Sequence, residues 1–121
     1  MQHVCRHPAE PPPAHIYLPT PATRRSNPMD MCGYSHCRIY LIGSTDNASI
    51  DLEIKGAPNE SGPYLQELGE HASLRGVTAD TSFVLRDISR YLVIEVPRLT
   101  GGWTIWAVPM HLSGEGGLCR R

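Results

Sequence analysis

From Ser49 to Lys55 the chain reads SIDLEIK, apolar and polar residues alternating without a break. Side chains alternate faces along an extended backbone, so Ile50, Leu52 and Ile54 share one face and Asp51, Glu53 and Lys55 the other. That period predicts a strand with one face in a core. TSFVLRD places Phe83 and Leu85 on one face, and RYLVIEV sets Leu92, Ile94 and Val96 against Tyr91, Val93 and Glu95. CRIYLIG, starting at Cys37, is apolar and β-branched, and GWTIWAVPM is apolar on both faces. PYLQELGEHASL is ambiguous: Tyr64, Leu65 and Leu68 allow one helical turn, and a short strand or irregular segment fits as well. Turn signals separate these runs at GSTDN, KGAPNESGP, LRDIS and PRLTGG. Short strands at this spacing predict an all-β fold, a small antiparallel β-sandwich or jelly roll. Pro97 cannot donate to a central ladder and is expected to end its strand, and Pro109 to mark an edge or bulge.

Trp103 and Trp106 are three positions apart, so on one strand they face opposite ways. One belongs to the core and the other needs a cover, which another chain or the N-terminal segment would supply. Thr104, Trp106 and Val108 form a coherent inward face ending at Met110, which makes Trp103 the partner-facing ring. The set Trp103, Ile105 and Ala107 serves almost as well.

The first part of the chain is different. Seven of the 11 prolines precede Met29, whereas the first of the 11 glycines is Gly33. Such a segment favours polyproline-like backbone without internal hydrogen bonds and buries little on its own. We therefore expect an extended proline-rich arm over 1–35, a β-sandwich over 36–112 and a loose tail over 113–121. The arm is either a plain tail or a binding arm in which Ile16, Tyr17 and Leu18 anchor to a partner. With Trp103 and Tyr91, these three make up the expected partner-facing set.

The chain has 121 residues and a formal net charge of -1, a balance unsuited to a protein built to neutralise nucleic-acid phosphates. No apolar run approaches the length of a membrane span, and the N-terminus has no apolar core of a secretory signal. His3, Cys5, His7, Cys32, His36 and Cys37 offer metal-ligand types, but lack the paired C-x2-C spacing of a zinc knuckle. Incidental thiols are expected ahead of a zinc site or a disulfide, and no metal or cofactor is expected. His71 and His111 are isolated, and no nucleophile–base motif or phosphate loop occurs, so catalysis is not expected. NAS at Asn47 and NES at Asn59 match the glycosylation pattern, which is short enough to arise by chance.

SIDLEIKGAPNESGPYLQELGEHASLRG, followed by LRDISRYLVIEVPRLTGGWTIWAVPM, resembles the small discoidin-like or jelly-roll modules of tailed-bacteriophage virions. Arg90, Tyr91, Leu92, Ile94 and Val96 fill one part of that pattern, and Leu99, Thr100, Gly101 and Gly102 the next. Tyr64 and Leu65 stand where the pattern has a tryptophan. The resemblance implies a virion structural role, a capsid decoration (cement) protein bound to the major capsid protein, with self-association as a homotrimer. It would assemble in the host bacterial cytoplasm and reside on the capsid surface. The alternative is a discoidin-like carbohydrate-binding module of a tail or fibre. An extended arm suits a protein that crosses subunit joints, and a proline-rich one has less backbone freedom to lose on ordering. A zinc-stapled adaptor is a third reading.

Overall fold

The structure, a computed structural model, describes residues 14–111. Among them the chain is all-β. Its strands are β1 (His15–Tyr17), β2 (Met29–Asp30), β3 (His36–Gly43), β4 (Ser49–Ala57), β5 (Leu65–Gln66), β6 (Ser73–Val77), β7 (Thr81–Arg86), β8 (Tyr91–Thr100) and β9 (Trp103–Met110). They form two antiparallel sheets. The front sheet has the order β1-β9-β3-β7; the back sheet has β2-β8-β4-β5, with β6 also paired to β4.

Alternation along the strands builds the core between the sheets. Ile50, Leu52 and Ile54 of β4, Leu92, Ile94 and Val96 of β8, and Phe83 and Leu85 of β7 are buried together with Ile39 and Leu41 of β3. The ambiguous PYLQELGEHASL segment is mostly irregular, contributing the two-residue β5 and the start of β6.

Pro97 departs from its expected place. β8 runs through it to Thr100, and the pairing with β4 steps from Asp51↔Arg98 to Glu53↔Glu95. β4 advances two residues while β8 advances three, so the proline is absorbed by a bulge instead of ending the strand. Pro109 fits its expected edge position. It is paired with Cys37 beyond the last β1 partner, Ala107, so among the described residues β9 is flanked there on one side only.

The leader is also built differently from the expected arm. Its described part, from residue 14, lies on its own sandwich. β1 pairs with β9 at the front, the chain turns through mutual Thr20–Thr23 hydrogen bonds, and the return strand follows β8 at the back. Ser26 is buried, its hydroxyl accepting from the Ile94 N–H at 2.9 Å and its N–H donating to the Ile94 carbonyl at 2.9 Å. Asp30 anchors the end: Arg90 donates Nε to Oδ1 at 2.6 Å and Nη2 to Oδ2 at 3.1 Å, and the Cys32 N–H reaches Oδ1 at 2.8 Å. The sandwich therefore starts by His15, not at residue 36. Residues 1–13 of the expected arm and the expected tail over 113–121 lie outside the described residues.

Candidate functional site

Register fixes which face each front-sheet side chain takes. Ile39 lies beside Ala107, Leu41 beside Ile105 and Gly43 beside Trp103, so the odd-numbered set of β9 faces the core. Trp103 is 2 % exposed. A side chain at Gly43 would begin 3.5 Å from the Trp103 ring and 3.6 Å from Ala48 Cβ, ordinary contact distances, so the indole packs directly over this glycine. Trp103 Nε1 donates to the Thr100 carbonyl at 3.3 Å. The expectation of Trp106 inward and Trp103 outward is thus reversed. Chain alternation fixed only that the two differ; the pairing with β3, which sets Trp103 beside Gly43 in the row of Leu41 and Ile39 and Trp106 beside Tyr40, decides which ring is inside.

Trp106 stands on the outer front face, 37 % exposed. Ile16 lies beside it on β1 and Tyr40 on β3, with Ser82 of β7 next in the row. Cross-strand partners of this kind have side chains in contact range on one face. Ile42, beside Thr104, continues the apolar surface, as does Leu18 just past β1. Ile16, Leu18, Tyr40, Ile42 and Trp106 are all exposed, a cluster of large apolar groups of the kind that marks an interaction surface. Polar groups of this face gather toward β7, where Arg38 donates to Ser82 Oγ at 3.1 Å and Arg86 is exposed.

The five sequence candidates do not form one site. Ile16 and Leu18 join the front face. Tyr17, between them in sequence, points the other way, packs against the core and donates its hydroxyl to the Thr23 carbonyl at 2.7 Å; burial pushes its pKa up to about 12. Trp103 is core. Tyr91 belongs to the back sheet, with the Arg90 guanidinium 5.4 Å from its ring centre. Sequence reasoning assigned no faces to CRIYLIG and so missed Tyr40 and Ile42, although Arg38, two residues before Tyr40, marks their face as the outer one.

The outer back face is closed by the chain itself. Glu95 accepts from Arg25 at 2.8 Å and from Lys55 at 2.9 Å, and Glu53 accepts from Arg75 at 2.9 Å. Arg25 also lies 5.5 Å from the Tyr64 ring centre. Val93, on this outer face beside Lys55, is fully buried.

The cysteine and histidine cluster resolves into separate roles. Cys32 is disulfide-bonded, where incidental thiols were expected, and its partner lies outside the described residues. Cys37 is a free thiol inside the core, its pKa pushed up to about 12 by burial. His36 is buried and shares a 2.6 Å hydrogen bond with Ser35. Among the described residues no group of three or more His, Cys, Asp or Glu side chains is placed to hold a metal ion. His3, Cys5 and His7 lie outside the described residues.

Compared with protein-family models, with curated proteins and with solved structures, the chain matches none.

Proposed function

We propose that this chain is a capsid decoration protein of a tailed bacteriophage, acting by adhesion, and that its outer front face is laid on the major capsid protein. The observation that carries the reading is the exposed row Ile16–Trp106–Tyr40, extended by Ile42 and Leu18. Burial of apolar area on a partner contributes roughly 25 cal/mol per Å², and tryptophan and tyrosine are the side chains most often central to such contacts. Repetition over an icosahedral surface multiplies a modest single contact. The resemblance of the Arg90–Val96 and Leu99–Gly102 motifs to virion modules supplies the capsid as partner.

A second reading, a carbohydrate-binding module of a tail or fibre, is favoured by one feature: Trp106 and Tyr40 side by side on a flat sheet, able to stack on sugar rings. Sugar recognition also needs polar groups fixed around the rings to take up the hydroxyls, and on this face Arg38 and Ser82 are hydrogen-bonded to each other. The test is co-sedimentation of the purified chain with decoration-free capsids of the same phage, beside a glycan array. Capsid binding without glycan binding supports the decoration reading. Glycan binding without capsid binding replaces it with the second.

A further inference from the structure

Strands at sheet edges expose unpaired N–H and C=O groups, and proteins blunt them with shortness, proline, bulges or covers. Most edges here are blunted. β1 has three residues, β2 has two with Pro28 before it, and β5 has two. β6 carries Gly76 at φ 64° and a register shift against β4. β7 has none of these protections. It has six residues without proline, runs in unbroken register against β3, and has no second neighbour among the described residues.

The direction of its free groups follows from one hydrogen bond. The Gly43 N–H reaches Asp80 Oδ1 at 2.9 Å, so odd-numbered residues of β3 point their backbone groups toward β7. Their partners Thr81, Phe83 and Leu85 point back at β3. Ser82, Val84 and Arg86 therefore aim theirs off the sheet. A cleft of about 1510 Å³ follows this edge, between β7 and the β5–β6 segment, with Phe83 and Leu85 in its lining. Leu65 and Leu68 also line it, 68 % and 95 % exposed, and supply apolar area that a partner would cover.

We propose that β7 pairs antiparallel with β7 of a second copy of this chain, joining the two front sheets into one. The two-fold axis passes between the two Phe83 residues, and Ser82 and Val84 exchange backbone hydrogen bonds across it. Asp80, just before β7, and Arg86 are both exposed and then lie opposite each other twice by symmetry, with one Asp80 oxygen kept on the Gly43 N–H and the other left for Arg86. The neighbouring registers that keep the free groups paired put Asp80 opposite Val84 or Ile88 and lose both ion pairs. Charge thus selects the register and favours the chain itself as partner. A two-fold contact of this kind closes as a dimer, in place of the trimer the virion resemblance implies, and does not use the Trp106 row.

The test is the solution mass of the full-length chain, with and without reductant, across a concentration series. It is repeated for Arg86→Asp, for Asp80→Arg and for their equimolar mixture. The expected result is a reductant-resistant dimer whose dissociation constant rises at least about tenfold in either single variant. The mixture restores dimers, because each unlike pair regains both ion pairs. Asp80→Arg also removes the acceptor for the Gly43 N–H, so Val84→Pro serves as a second variant. Its missing N–H is one aimed off the sheet, and it should dissociate the dimer while keeping the fold. A chain monomeric throughout, a dimer lost on reduction, or one unaffected by Arg86→Asp and Val84→Pro would overturn the proposal.

Discussion

The two outer faces of this sandwich are made from similar strands and finished differently. At the back, Glu95 is held between Arg25 and Lys55, Glu53 meets Arg75, and Val93 is fully buried. At the front, Ile16, Trp106, Tyr40 and Ile42 stand in solvent. The leader serves both sheets, yet it carries its charges, Arg24 and Arg25, to the back and leaves Ile16 and Leu18 on the front. A chain able to cover one face with paired charges leaves an exposed apolar row on the other, and that difference, not any single residue, is what marks the front as a contact surface.

The sharpest way to break the comparison is between the tryptophans. Trp103→Ala should cost about 3–5 kcal/mol of stability, because it opens a cavity above Gly43, whereas Trp106→Ala should cost about 1 kcal/mol or less. Urea unfolding of both variants checks this, and equal losses would mean the rings are equivalent. Next in size is the leader's anchor. Asp30→Ala leaves the Arg90 guanidinium and the Cys32 N–H without their carboxylate and should cost about 2 kcal/mol, read in the same way. On the back face, Glu95→Gln loosens an exposed ion-pair network and should cost only about 0.5–1 kcal/mol, an effect that shrinks at high salt.

A pH titration gives a further expected outcome. The Cys37 thiol rises from its ordinary 9.0 to about 12 on folding, so the unfolded chain loses this proton first. Its contribution is fully present below pH 9.0 and is lost as pH climbs toward 12. Tyr17, raised from 10.0 to about 12, acts in the same direction. Stability should fall across this alkaline range, with a shallower slope in Cys37→Ala. An unchanged slope would show that the thiol is not buried as described.

Alternation read the core strands well. Ile50, Leu52 and Ile54, and likewise Leu92, Ile94 and Val96, are all within the core. It failed where both faces are apolar, as in GWTIWAVPM, since there the inward face is set by cross-strand neighbours far apart in sequence. Gly43 opposite Trp103 is such a case. The leader was misjudged for a related reason. Proline content argues against a strand, but short pairings between or just after prolines, at His15–Tyr17 and Met29–Asp30, need only a few donors. Tyr64 gives no local sign that it will meet Arg25, because that contact depends on how the leader returns along β8.

The central claim is that the front face, not the back, meets the partner. The most direct measurement compares the affinity of Trp106→Asp and Glu95→Gln chains for decoration-free capsids, with their folds verified by unfolding curves. The account predicts that Trp106→Asp binds at least about a hundredfold more weakly while Glu95→Gln binds as the unmodified chain does. Undiminished binding by Trp106→Asp would contradict it.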